Sequence, residues 1–352
     1  MAPKMMRVAK HLRAPKILKV GSDFSGLKAA EKSLSRMGVV FNAVFSSDIA
    51  PECQKMLQKD KSDGEVIFDD VTQRTATEES YVDLYVATPP CQSFANGGNR
   101  KGTSDPRGKL IGQPVKFVSR NRPRLFVMEE TGALNNAKFA AVKKGILKSL
   151  DTLGYMVHDN KLNASDFKVP QDRHRVFIVA IRKDSVVHPF AWPSPVAPKA
   201  TIKAILDPMT RTDMPGRLPA TARGKEATKT AYKAVFEKHG IDARQVPVLV
   251  DVDASKRFET YGVNVAKTLT KSRGQSGGPW VSTRGRRATV NEMMRIQGFK
   301  PSELAWEKVV SKSHIGKMLG NSVPVPLIGQ VLAAGLWSAG LVSKKPITDR
   351  LY

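Results

Sequence analysis

Acidic residues are scarce in this chain, and so are cysteines and long apolar runs. Asp and Glu number 32 against 57 Lys and Arg, which leaves a formal charge of +25 and an isoelectric point near 10.1. Such a field draws polyanions, nucleic acid first; the blander reading is a solvated basic surface. Two cysteines, Cys53 and Cys91, form no disulfide framework, and a reducing compartment suits them better. No apolar run reaches the length of a membrane span, and the N-terminus lacks the apolar core of a secretory leader. The expectation is an intracellular, soluble protein. At 352 residues with 41% hydrophobic content it has ample core for one large domain with an appendage, or for two domains.

What is present is organised around Ala87-Thr88-Pro89-Pro90-Cys91-Gln92-Ser93. The apolar run Tyr81–Val86 reads as a buried strand of a parallel sheet, which the two prolines end. Cys91 is thereby presented at the carboxyl edge, where open α/β sheets hold ligands and reactive groups. The glycine-rich stretch Gln92–Gly102 cannot pack as an element but can move as a lid. A lone cysteine is usually a small buried hydrophobe. Cys91 departs from that pattern because no helical or alternating apolar context surrounds it, whereas Cys53, on the amphipathic run 52–59, reads as a packing residue.

Other strand ends carry chemistry too. Ile17–Gly21 reads as a first strand, followed by the turn Ser22–Gly26 and a helix from Leu27, an arrangement that lets backbone approach a nucleotide-like cofactor. The second strand ends at Asp48, placed to accept from ribose hydroxyls or to cap the following helix. A third ends at Asp69-Asp70. The strand Arg124–Met128 ends at Glu129-Glu130-Thr131, where two adjacent carboxylates are costly to desolvate, so at least one is expected to have a functional task or a raised pKa. Gln171, Arg173 and Arg175 alternate, so in extended backbone all three face one side as an anion or base clamp, or form a plain exposed edge. Residues 1–15 form a basic arm. From Lys199 to Arg287 there are 18 Lys and Arg against 8 Asp and Glu, in short irregular runs suited to phosphate tracking.

In order along the chain, Phe24-Ser25-Gly26, Pro90-Cys91-Gln92, Glu129, Gln171-Asp172-Arg173-His174-Arg175, the run Arg287 to Phe299 and Gly320-Asn321-Ser322-Val323 resemble six motifs of the DNA cytosine-5 methyltransferases. The resemblance extends from residue 17 to about residue 340. It implies an α/β fold: a Rossmann-like methyltransferase sheet with helices on both faces, built from 16–189 and 288–343, plus a smaller irregular target-recognition lobe over 190–287 and a tail at 344–352. It implies transfer of a methyl group from S-adenosylmethionine, leaving S-adenosylhomocysteine, to C5 of a cytosine flipped out of duplex DNA. Cys91 would be the nucleophile, Glu129 would protonate or hydrogen-bond N3, Arg175 would hold O2, and Arg173 would position thiol and base. Phe24, Gly26, Asp48, Ile49, Asp70, Pro90, Leu110, Asn321 and Val323 would bind the cofactor. Gln92, Ser93, Arg107, Lys109, Thr268 and Arg273 would contact DNA. The resemblance calls for no metal and for action as a monomer, with a cognate restriction endonuclease as a further partner to look for. Three places depart from the pattern: Leu27-Lys28 stands where another glycine is usual, Glu130-Thr131 follows Glu129 in place of Asn-Val, and Ile49 replaces an aromatic. Retention of both Cys91 and Glu129 argues against a catalytically silent relative. The lack of a cysteine beyond Cys91 argues against the RNA-directed branches, and Thr88-Pro89-Pro90-Cys91 argues against amino methylation.

Overall fold

A computed structural model describes residues 17–75, 80–90, 110–254 and 261–352. Its centre is a seven-stranded sheet of β1 (Leu18–Asp23), β2 (Phe41–Ser47), β3 (Val66–Phe68), β4 (Leu84–Ala87), β5 (Leu125–Thr131), β6 (Tyr155–Asn163) and, after the short β7 (Gln171–Asp172), β8 (His174–Arg182). The spatial order is β3-β2-β1-β4-β5-β8-β6. The first five strands run parallel, and β8 inserts antiparallel between β5 and β6. The carboxyl ends of β1, β2, β4 and β5 therefore open onto one edge.

Both faces of this sheet are covered, which explains why its strands read as continuous apolar runs rather than as alternating ones. Leu84 and Val86, Leu125 and Val127, and Phe177, Val179 and Ile181 enter one core. Their alternates Tyr85 and Ala87, Phe126 and Met128, and Val176, Ile178 and Ala180 enter another. The helices α1 (Ala29–Arg36) and α2 (Pro51–Lys59) serve the first core. On the second face α3 (Gln113–Asn121) contributes Phe117 and Val118, and α4 (Ala140–Thr152) contributes Ile146 and Leu150.

Residues 190–287, expected to be irregular, hold regular elements. The helix α5 (Ala222–His239) runs for 18 residues, started by the Thr221 side chain and ended by Gly240 in left-handed backbone. It packs Ala231 and Val235 against Val248 and Val250 of β9 (Val248–Val250) in a third, separate core. With β10 (Tyr261–Val263), β12 (Trp280–Val281) and β13 (Arg286–Arg287), β9 makes an antiparallel sheet, while β11 (Ala266–Lys267) pairs with β7. The short strands carry too little periodicity to be read from sequence.

The chain returns through α6 (Lys271–Gln275), α7 (Val290–Ile296), α8 (Lys312–Asn321) and α9 (Val325–Ser338). The last three add Met293, Leu319 and Leu332 to the first core. Between α6 and α8 the backbones nearly touch: a Cβ built on Gly274 would fall 1.9 Å from the Gly316 carbonyl oxygen, and one on Gly320 would fall 2.2 Å from that of Thr270. No side chain fits there. Gly316→Ala is therefore expected to lower unfolding free energy by about 1–3 kcal/mol in denaturant titrations, and an unchanged midpoint would contradict so close an approach.

Candidate active site at the carboxyl edge of the sheet

The turn after β1 forms one wall of a cavity of about 370 Å³, within the roughly 300–1,000 Å³ usual for small-molecule sites. Three of its residues have positive φ: Phe24 (58°), Gly26 (51°) and Lys28 (54°). Only glycine takes that backbone without cost, so the other two are held by their partners. The Phe24 carbonyl accepts from Thr88 Oγ1 at 2.9 Å. Lys28 Nζ donates to buried Glu65 Oε2 at 2.7 Å and to the Asp60 carbonyl at 3.1 Å. The lysine thus keeps the backbone that a glycine would supply and adds a buried ion pair beneath the turn.

Asp48 braces the same turn. Its Oδ2 accepts from Gly26 N at 3.1 Å and its Oδ1 from Ala50 N at 3.0 Å, and burial pushes its carboxyl up. The neighbouring Cys53 is buried, as its helical pattern suggested, and burial raises its thiol pKa further. Ile49 is 68% exposed at the cavity mouth, a large apolar surface presented outward. Ser22 Oγ donates to Glu31 Oε1 at 2.7 Å on the floor, and burial pushes the Glu31 carboxyl up as well.

The other end of the cavity lies between β4, β5 and β8. Pro90, Leu110, Glu129 and Arg175 all line the cavity, and Arg175 Nε sits 2.8 Å from Glu129 Oε1 with both side chains largely buried. Register explains the meeting: Glu129 pairs with Phe177 and Thr131 with Arg175, so the two side chains converge across adjacent antiparallel strands. Glu130 points to the opposite face. Its Oε2 accepts from Thr131 N at 2.7 Å, its Oε1 has no partner among the described residues, and burial pushes this carboxyl up to about 8. Glu130 is thus the acid beside the site, not in it.

Phe24, Gly26, Asp48, Ile49, Pro90, Leu110, Asn321 and Val323 are brought together with Glu129 and Arg175 around this one cavity. Other expectations need correction. Asp70 is not among the lining residues, because its Oδ1 accepts from Thr72 N and Oγ1, each at 2.8 Å, and closes a turn. Arg173 does not reach the cavity either. Its buried guanidinium donates to the carbonyls of Leu269 (3.0 Å) and Ser322 (2.8 Å). Gln171 likewise bonds Ile296 and Leu269 backbone, so of the three alternating residues only Arg175 lines the cavity. Thr268 donates its hydroxyl to the Asp172 carbonyl at 2.7 Å, and Arg273 Nε is 2.6 Å from Asp251, so both are engaged within the protein. Cys91, Gln92, Ser93, Arg107 and Lys109 lie outside the described residues. Sequence reasoning missed Ser22, Glu31, Lys271 and Lys317, which also line the cavity; the turn position of Ser22 and the Lys317 spacing before Gly320-Asn321 were the available signals.

The model of the C-5 cytosine-specific DNA methylase family matches residues 18–335. The chain belongs to this family. It is 29% identical over 289 residues to the Type II methyltransferase M.DsaV of Dactylococcopsis salina, spanning 81% of this chain and 77% of that protein. It is 28% identical to M.MthTI of Methanothermobacter thermautotrophicus, over 88% and 94% of the two chains. Among solved structures, a putative DNA modification methyltransferase from an E. coli prophage superposes with a TM-score of 0.65 at 18% identity, covering 91% of this chain and 98% of the other. The S. pombe Dnmt2 methyltransferase gives 0.62 at 17%, with the same coverage. The protein is thus a DNA cytosine-5 methyltransferase of an S-adenosylmethionine-dependent family, with a Rossmann-like α/β fold. No single described helix of the methyltransferase is long and apolar enough to cross a membrane.

Glu130 generates a sign-specific prediction. A carboxyl raised from about 4.5 in the unfolded chain to about 8 in the native one binds more protons when folded, so it costs stability progressively as pH rises through that window. Glu130→Gln is expected to melt at an increasing advantage over the parent between pH 4.5 and 8, by calorimetry. A pH-independent difference would contradict the burial.

Proposed function

We propose that the cavity binds S-adenosylmethionine and that the Cys91 thiolate attacks C6 of a cytosine extruded from duplex DNA. The observation that carries this reading is the convergence of Glu129 and Arg175 on the wall that Pro90, the residue before Cys91, also lines. The residues present fit such a cofactor. Partly buried Asp48 can accept from ribose hydroxyls, exposed Ile49 offers an apolar face to adenine, and the tight turn at Phe24 and Gly26 lets backbone approach the ligand. Asn321 and Val323 close the cavity from the C-terminal side. When bound, S-adenosylmethionine supplies an electrophilic methyl group and leaves as S-adenosylhomocysteine.

In this reading the Cys91 proton is lost to solvent and the sulfur forms a bond to C6. The electrons of the C5–C6 double bond are pushed toward C5 and conjugated into the ring. Glu129 hydrogen-bonds or protonates N3 and so takes up the developing negative charge, while Arg175 neutralises O2 and keeps Glu129 oriented. C5 then forms its bond to the methyl carbon. Loss of the C5 proton to water and expulsion of the Cys91 sulfur restore the aromatic ring. Arg173 acts at one remove, fixing the strand that carries Arg175.

The basic lobe at 190–287 is proposed to read the DNA site, with residues 16–189 and 288–343 as the catalytic domain. All groups in the proposed mechanism come from one chain, in keeping with a monomer acting on DNA inside the cell. Similar proteins are named both as Type II methyltransferases and, in Bacillus phage, as an orphan methyltransferase, so a cognate restriction endonuclease is a partner to test for.

Bisulfite sequencing of plasmid DNA incubated with the protein and S-adenosylmethionine is expected to show protection at a defined site. Cys91→Ala should abolish it, and Glu129→Gln should slow it by on the order of 10²–10⁴-fold. Protection by the Cys91→Ala protein equal to the parent would rule the nucleophile out.

A further inference from the structure

Several charges around the cavity are matched within the protein. Asp23 is held by both terminal nitrogens of Arg74 at 2.8 Å, Arg175 is paired with Glu129, and Lys317 with Glu52. Among the described residues Lys271 is the lining cation without an ion pair. Its place is fixed by backbone rather than by its side chain. Thr270 caps α6, and the missing side chain at Gly320 lets that glycine approach so closely that a Cβ there would fall 2.6 Å from Lys271 N. Lys271 is thereby set next to the Gly320-Asn321 segment and lines the same cavity as the Phe24–Gly26 turn.

The cavity also has carboxyls without a lysine or arginine salt bridge. Glu31 is bonded to Ser22, and Asp48 to backbone amides. A ligand suited to this distribution carries positive charge near the acids and a negative group within reach of one ammonium. The cofactor of the proposed function has this pattern, with a sulfonium, an amino group and an α-carboxylate. We propose that Lys271 binds the α-carboxylate of the amino-acid arm of S-adenosylmethionine, so that the segment descending from the recognition lobe completes the cofactor pocket. The assignment rests on the reading of the cavity as the cofactor site. It has a consequence for order of binding. Thr268 and Arg273 flank Lys271 and are themselves tied to Asp172 and Asp251, so cofactor occupancy and the seating of this segment are linked, each favouring the other.

The test uses calorimetric titration of the full-length protein, without DNA, with S-adenosylmethionine and with its decarboxylated analogue. The parent should prefer S-adenosylmethionine. Lys271→Gln should weaken S-adenosylmethionine by about tenfold, as loss of one charge-assisted contact predicts, while leaving the analogue within about twofold; Lys271→Arg should restore most of the loss. Equal weakening of both ligands would overturn the carboxylate assignment and leave a general packing role. Unchanged S-adenosylmethionine affinity with weakened duplex DNA binding would overturn it in favour of a phosphate contact. Failure of the parent to bind either ligand would instead remove the cofactor reading of the cavity, and the Lys271 assignment with it.

Discussion

The antiparallel seating of β8 between β5 and β6 is the constraint on which the rest of this molecule depends. Its register sets Arg175 opposite Thr131 and so delivers the guanidinium to Glu129. The residues just before it act in the opposite direction along the chain. Arg173 reaches carbonyls at Leu269 and Ser322, and Gln171 reaches Ile296 and Leu269. One continuous stretch therefore supplies a cavity-lining cation at one end and fastens both the segment at Leu269 and the C-terminal helices at the other. Hydrogen bonds from a buried charged group are worth about 1.5–3 kcal/mol each, so this fastening is a substantial share of the stability of an ordinary domain.

The second half of the site is assembled at still greater sequence distance. The Phe24–Gly26 turn and the Asn321–Val323 segment, some three hundred residues apart, face one another across the cavity. What lets them meet is small side chains. Glycines at 274, 316 and 320 allow α6 and α8 to pack backbone to backbone, and the capping box of Thr289 and Glu292 starts α7 while Glu292 also holds Arg286. The run from Arg287 to Phe299 is thus chiefly a joint between lobe and sheet.

The parallel strands, their order of appearance and the residues at their carboxyl ends were legible because buried strands with turn residues after them leave a strong local signal. Asp48 and the Glu129-Glu130 pair could be placed at the sheet edge on that basis, whereas Glu129 and Arg175 were singled out by the family resemblance. What local patterns could not show was which partner each polar side chain would take. Gln171 and Arg173 read as companions of Arg175 because alternation gives a face but not the neighbour across from it. Asp70 read as a ligand group because its closure of a turn depends on Thr72. By strand pattern alone Glu129 and Glu130 were indistinguishable; β5 continues through Thr131, which sends their adjacent side chains to opposite faces. Lys271 gave no signal at all, since its role depends on contact between two helices distant in sequence.

The central claim is that a sulfur in this chain bonds to a cytosine ring held against Glu129 and Arg175. Duplex DNA carrying 5-fluorocytosine tests it directly, because fluorine at C5 cannot leave as a proton and so blocks expulsion of the sulfur. Denaturing electrophoresis and peptide mass mapping should show a covalent protein–DNA adduct at Cys91 that requires S-adenosylmethionine. No adduct, or one located at Cys53, would contradict the account.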